Sequence, residues 1–306
     1  MPTMKTILIA GANGFIARNL TEHFSAKGWK VVGLARRDSG LHSKCQYVNW
    51  DGESLGAWAT EMERCDAVVN LVGKSVNCRF TPENRKLIIN SRVDSTRVLG
   101  EAIAACKNPP EVWLNASGAN IYCDSREHPH DEDGDRGEGF MTDVVEAWEK
   151  AFFESKVPQD VRKIALRTSM VLGDESGNAL RTFQTLSKFG LGGKIGNGKQ
   201  MVSWIHVDDV CRVIDWLVEH HEISGPVNMS SPEPLSNAEF MRRFRKSIGM
   251  PIALPAAAWM AKVGAYFLRM EPELILSSLW VVPKKLQAHG FEFKYPELQP
   301  EEWFKR

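Results

Sequence analysis

Residues 5–17, Lys-Thr-Ile-Leu-Ile-Ala-Gly-Ala-Asn-Gly-Phe-Ile-Ala, constrain the fold of this chain more than any other stretch. A short apolar run meets a glycine-punctuated turn, and a helical pattern follows directly. That order is the start of a nucleotide-binding βαβ unit. Gly11 permits the tight strand-to-helix turn, Gly14 lets the backbone approach a pyrophosphate, and Ala17 lets the helix pack closely on the strand. Phosphates then lie at the helix N-terminus, where unpaired N–H groups and the macrodipole favour anions. The spacing is Gly-x-x-Gly-x-x-Ala, and the strand and helix flanks give it weight over an ordinary turn.

Apolar runs and helical patterns continue to alternate through the first two-thirds of the chain. This predicts an α/β fold, a doubly wound parallel sheet with helices on both faces. Strands are expected at Thr6–Ala10, Lys30–Ala35, Gln46–Trp50, Ala67–Val72, Val112–Ala116 and Arg162–Thr168. Helices are expected at Phe15–Lys27, Leu55–Arg64, Val93–Ala105 and Thr142–Ser155. After Gly173 glycines cluster between Gly190 and Gly198, and a strand-like Val202–Val207 leads into a helix with Asp208 or Asp209 as N-cap. A helical C-terminal lobe follows. At 306 residues the chain has room for a nucleotide-binding domain and a smaller second lobe.

Lys plus Arg and Asp plus Glu both total 38, so the formal net charge is zero. No electrostatic footprint for nucleic acid or an anionic membrane exists. Cysteines 45, 65, 78, 106, 123 and 211 are scattered without metal-ligand spacing, and no signal peptide is evident, which together predict reduced thiols in a cytoplasmic protein. The apolar stretch Pro255–Met270 contains Lys262 and Arg269, is too short to span a bilayer, and reads as a buried helix.

The second strand ends in Leu34-Ala35-Arg36-Arg37. An NAD-selective site places a carboxylate near here to accept bonds from the ribose 2′-hydroxyl, whereas guanidinium groups make charge-assisted bonds to a 2′-phosphate. The expected cofactor is therefore NADP(H). The charged segment Asp124–Glu138 reads as a solvated loop near the ligand-binding ends of the strands. Its His128 and His130 lack a rigid element to hold them, so no metal is expected.

With these features in place, the chain resembles the extended short-chain dehydrogenase/reductase superfamily. Within it, the similarity is to divergent proteins of the NAD-dependent epimerase/dehydratase family that carry a C-terminal domain of unknown function. The resemblance spans nearly the whole chain. It is carried by the run Gly190 to Gln200, by Trp204-Ile205-His206-Val207-Asp208-Asp209, by Gly225-Pro226-Val227-Asn228-Met229, by Trp148-Glu149, by Val282-Pro283-Lys284-Lys285-Leu286 and by Gly290-Phe291-Glu292-Phe293. It implies a Rossmann domain at 1–173, with 204–225 returning to it, and a substrate-capping lobe at 174–203 and 226–306. Carried over as cofactor-binding are Gly11, Asn13, Gly14, Phe15, Ile16, Arg36, Arg37, Leu71, Val72, Gly73, Ala116, Ser117, Thr168 and Val171. A small-molecule substrate and a homodimer are the implied partners.

Two departures bear on mechanism. Active reductases of the superfamily carry Tyr-x-x-x-Lys, in which the tyrosine exchanges a proton with the substrate oxygen and the lysine holds the cofactor ribose. Counted back from Trp148-Glu149, those slots hold Met141 and Val145. The replacement donors are Tyr122 and Ser117, with Gly118 sharing the serine register and Asp143, Glu146 and His206 further back. Sugar-nucleotide epimerases place an Arg-Asp pair where this chain has Val202-Ser203, which argues against a UDP- or GDP-sugar. Tyr122, Trp204 and Arg181 are the expected substrate contacts, and Lys199 is a second basic candidate. Three functions follow: an NADP(H)-dependent oxidoreductase acting on a small carbonyl or hydroxyl compound, a non-enzymatic NADP(H)-binding or sensing protein, and a nucleotide-sugar epimerase.

Overall fold

Thr6–Ala10 forms strand β1 and is buried along its whole length, as a parallel strand covered on both faces must be. The computed structural model describes residues 4–173, 183, 187–188, 190, 192–250, 252–257, 259 and 271–303. Strands β2 (Lys30–Ala35), β3 (Cys45–Asn49), β4 (Ala67–Asn70), β5 (Val112–Gly118) and β6 (Arg162–Thr168) follow. Three short strands come next, β7 (Met170–Leu172), β8 (Met201–Val202) and β9 (Trp204–His206), then β10 (Gly225–Met229) and β11 (Leu235–Ser236). Seven strands make one parallel sheet in the order β10-β6-β5-β4-β1-β2-β3. This is the doubly wound Rossmann architecture that the alternating pattern predicts.

Helix α1 (Phe15–Ala26) and the helix Val207–Glu219 cover one face. Their Leu20, Phe24, Val213, Ile214 and Leu217 pack on Ile7, Ile9, Leu114 and Leu166, and Leu286 and Phe291 from the C-terminal segment complete that layer. Helices α2 (Pro82–Ala104) and α3 (Phe140–Phe153) cover the other, with Leu99, Ile103 and Phe152 against Leu8, Val68 and Trp113. The small lobe has its own core around Trp204, Phe240, Phe244, Leu298 and Trp303.

The structure corrects several sequence expectations. Helix α2 begins at Pro82, not Val93: Thr81 caps it by accepting from the Asn84 N–H at 3.3 Å, and Pro82 occupies the first turn. Polar residues at 90–92 hide the helical period there. The segment after Gly56 is a 3-10 helix, Ala57–Arg64. The expected strand Val202–Val207 breaks at Ser203, so β8 pairs with β11 while β9 pairs with β7. The following helix is capped by His206, whose Nδ1 accepts from the Asp208 N–H at 3.1 Å, rather than by either aspartate. Asp209 instead accepts from the Lys294 and Tyr295 N–H groups and from Arg212. The return to the sheet runs to Met229 because β10 pairs with β6 along its full length. Residues 258 and 260–270 of the expected helix Pro255–Met270 lie outside the described residues.

A buried polar layer joins the strand ends to α2 and α3. Parallel register places Ser117, Arg167 and Asn228 side by side on β5, β6 and β10. Glu149 of α3 takes both the Nε and Nη2 of Arg167 at 2.9 Å and the Ser117 hydroxyl at 2.6 Å. Burial works against the Arg167 charge, but Glu149 and Tyr122 more than offset it and hold its pKa above the ordinary guanidinium value. A second set lies alongside: Asn70 Nδ2 donates to Asn115 Oδ1 at 2.7 Å, and Trp148 Nε1 donates to Thr96 Oγ1 at 3.0 Å.

Both features make predictions. Glu149→Ala leaves a buried Arg167 without its counter-charge and lowers stability by about 3–5 kcal/mol, read from urea unfolding; an unchanged midpoint would refute the assignment. On β2, a Cβ at Gly33 would meet Cys45 Sγ and would lie 2.7 Å from Ala12 Cβ of the turn after β1. Gly33→Ala therefore overpacks the support of that turn and costs about 1–3 kcal/mol in the same assay.

Candidate cofactor cleft at the strand ends

Strand order reverses between β1 and β4, which opens a crevice at their carboxyl ends, the usual ligand position in open α/β sheets. Gly11 sits in it with φ +81°, and a Cβ there would lie 3.1 Å from the carbonyl of Leu71 and the N of Val72. No other residue fits both the conformation and the space. Gly14 is exposed and caps α1 without a side-chain bond, and the first turn of α1 holds no acidic residue. That helix end is therefore electropositive and open to an anion. Phe15 and Ile16 are half-buried, with Phe15 against Gly173, where a Cβ would come within 2.7 Å of the ring.

Asn13 turns its amide away from the helix end and donates to the carbonyls of Arg37 at 3.1 Å and Ser39 at 2.6 Å. The Arg18 guanidinium in turn donates to the Asn13 carbonyl at 2.5 Å. Arg36 and Arg37 are exposed, and among the described residues no carboxylate pairs with either guanidinium. At the carboxyl end of β3, the strand next to β2, a cavity of about 460 Å³ is lined by Trp50, Asp51, Leu55 and Trp58 among others.

Beyond β4, Asn70 Oδ1 accepts from the Val72 N–H at 3.1 Å and sets the path of Leu71, Val72 and Gly73 along the crevice. Ala116 and Thr168 are half-buried at the ends of β5 and β6, and the Thr168 hydroxyl donates to its own strand at Leu166. Val171 is a half-buried side chain packed on the core.

Met141 and Val145 are buried and apolar, so the slots that hold Tyr and Lys elsewhere in the superfamily carry no proton chemistry. The structure gives the two replacement donors other tasks. Ser117 is buried with its hydroxyl on Glu149. Tyr122 is 3 % exposed. Its hydroxyl donates to Asn228 Oδ1 at 2.7 Å and accepts from Arg167 Nη1 at 2.9 Å. Burial pushes its pKa up to about 12 despite the neighbouring guanidinium. Both hydroxyls are thus buried and engaged within the protein.

Trp204, expected to touch substrate, is fully buried in the small lobe and donates to the Glu233 carbonyl. Val202 packs on that same core, and the Ser203 hydroxyl binds the backbone of Leu279 and Val281. Arg181 lies outside the described residues. Within the glycine-rich run, Gly198 serves packing: a Cβ there would lie 2.9 Å from Ala238 of the helix Asn237–Ser247.

Most residues of the charged segment 124–138 are exposed, as expected of a solvated loop, but three of them dock it on the fold. Ser125, His130 and Glu132 are buried, and His130 exchanges backbone bonds with Trp280 and Val282. Glu132 accepts from the N–H groups of Asn228 at 3.0 Å and Lys285 at 3.1 Å. Burial raises its pKa, and those N–H groups oppose the rise. Among the described residues no group of three or more His, Cys, Asp or Glu side chains gathers to hold a metal. None of their helices is long and apolar enough to cross a membrane. Glu132, Arg167 and Asn228 were missed as organising residues; the signal for Asn228 was its place in the Gly-Pro-Val-Asn-Met run.

Residues 7–229 match the model of the NAD dependent epimerase/dehydratase family, and residues 256–300 match DUF1731, a domain of unknown function. Epimerase family protein SH2119 of Staphylococcus haemolyticus is 32% identical over 302 residues, covering 97% of each chain. Human epimerase family protein SDR39U1 is 30% identical over 297 residues, covering 95% of this chain and 96% of that one. A crystal structure of human SDR39U1 (isoform 2) with NADPH superposes with a TM-score of 0.85 at 28% identity, covering 97% of this chain and 98% of the other. The glycine turn, the crevice and the extent of these matches lead to one assignment: the chain belongs to the NAD dependent epimerase/dehydratase family.

Proposed function

We propose that this protein binds NADP(H) in the crevice and acts as an oxidoreductase on a small carbonyl or hydroxyl compound. The observation that carries the reading is the exposed Arg36–Arg37 edge, free of carboxylate partners and tied by Asn13 to the phosphate turn. The cradle fits the cofactor: Gly11 leaves the space a Cβ would fill, and the open end of α1 suits a pyrophosphate. Arg36 and Arg37 would hold a 2′-phosphate, and the cavity lined by Trp50 and Trp58 suits a flat adenine. Leu71, Val72, Gly73, Ala116, Thr168 and Val171 would line the remaining length. NADP(H), when bound, supplies or accepts a hydride at its nicotinamide ring. The protein's own contribution is orientation, because Met141, Val145, Ser117 and Tyr122 leave no side-chain proton donor at the customary place.

That same absence supports a second reading, in which cofactor occupancy rather than turnover is the function. Solved structures of similar fold include a nucleoside-diphosphate sugar epimerase, but Val202 and Ser203 give no grip for a diphosphate here.

Titration calorimetry with NADPH and NADH tests the cofactor. Arg36→Ala and Arg37→Ala should weaken NADPH about tenfold or more while NADH changes little; equal losses for both would defeat the 2′-phosphate assignment. Turnover in a screen of carbonyl compounds for NADPH oxidation separates the two readings. Tyr122→Phe should leave NADPH affinity within about twofold and lower stability by about 1–3 kcal/mol, since Arg167 and Asn228 lose a buried partner. A Phe variant that keeps its stability yet loses turnover would restore Tyr122 as the acid.

A further inference from the structure

Arg92 of α2 is half-buried beside the segment that follows β4. Its plane lies against the backbone of Gly73: a Cβ built there would be 3.0 Å from Cζ, 3.2 Å from Nη2 and 3.3 Å from Nη1. The ring of Trp148 lies 4.9 Å from Cζ. Nη1 donates to the carbonyls of Lys74 and Ile88, both at 3.0 Å. The opposite edge, Nε with Nη2, has no partner among the described residues, and no carboxylate pairs with the side chain. Burial alone draws its pKa down to about 10.

Contrast with Arg167 is informative. There the Nε and Nη2 edge grips Glu149, as a buried guanidinium ordinarily must to offset desolvation. Arg92 has the same edge free, its other nitrogen anchored and its face stacked, beside the segment Leu71–Gly73 that runs along the crevice. A guanidinium fixed on three sides with its two-donor edge open is preorganised for a bidentate acceptor. The missing Tyr and Lys leave Val145, three residues from Trp148 on α3, in no position to fill that role.

We propose that the Nε/Nη2 edge of Arg92 binds an oxyanion, a carboxylate or phosphate group, of the molecule that occupies the crevice. The inference rests on the NADP(H) reading only for the position of the crevice. The oxyanion has two sources, a second ligand that is itself an acid or a phosphate of the coenzyme. In the first case the substrate class narrows to small carbonyl or hydroxyl acids and phosphate esters.

The test is calorimetry on the full chain at low ionic strength, with NADPH first and then pyruvate or inorganic phosphate added to the NADPH-loaded protein. Wild type should bind one of these probes saturably, and Arg92→Met should weaken that step at least tenfold with NADPH affinity within twofold; this identifies an acidic second ligand. Alternatively, the probes fail to bind loaded wild type and Arg92→Met weakens NADPH at least tenfold, which assigns the oxyanion to the coenzyme. Arg92→Lys keeps the stem and charge but loses the fork, and should fall between wild type and Met; it carries the test if Met lowers the melting temperature. Arg92→Met indistinguishable from wild type toward NADPH and both probes would overturn the proposal. Wild type that binds no NADPH would remove the cofactor reading, and the probes titrated into the unloaded protein would still decide Arg92 by the same comparison.

Discussion

The Glu149–Arg167 pair holds the site end of this molecule together. It is bidentate and almost fully enclosed, and it reaches from α3 into the lateral row Ser117, Arg167 and Asn228. Through Arg167 it extends to Tyr122 and to the carbonyl of Glu132, and through Asn228 to the backbone of Val282. One helix, three strands, the 124–138 segment and the C-terminal segment are thereby fixed by a single hydrogen-bonded network. Such a network is costly to leave incomplete, since each buried polar group in it depends on the next. It engages the hydroxyls of both Ser117 and Tyr122.

On the other side of the strand reversal, control passes from side chains to backbone. Gly11 meets the Leu71–Val72 peptide at close range, and Asn70 holds that peptide in place from beneath. The crevice is thus shaped by turns whose geometry few substitutions allow, while its chemical character comes from charges at its rim. This division explains how a shared architecture accommodates different ligands without rebuilding the sheet.

Local signals were legible in the chain. The β1 strand, the glycine turn and α1 are contiguous, and each residue acts on its immediate neighbours, so residues 6–26 read correctly almost to the residue. The start of α2 was also written locally, as Thr81-Pro82-Glu83, but the polar run Asn90-Ser91-Arg92 interrupts the apolar period that would have led back to it. The polar row was not legible. Ser117, Arg167 and Asn228 are about fifty to sixty residues apart, and only strand register brings them together. Without Arg167 in view, Tyr122 reads as an available phenol. Most of 124–138 does face solvent, but Glu132 does not, because its partners are main-chain N–H groups, which no side-chain pattern reveals. Trp204 misled for a related reason: an aromatic beside glycines looks like a ligand platform until the small lobe closes around it.

The amide of Asn13 spans from the glycine turn to the loop bearing Arg36 and Arg37, gripping the carbonyls of Arg37 and Ser39 there. Two parts of the proposed dinucleotide site that are distant along the chain are in effect one stiff jaw. On that proposal, discrimination between coenzymes is inseparable from the posture of the turn itself: retuning the basic rim by exchanging its guanidinium groups would alter charge, whereas loosening the amide would blur shape and preference together.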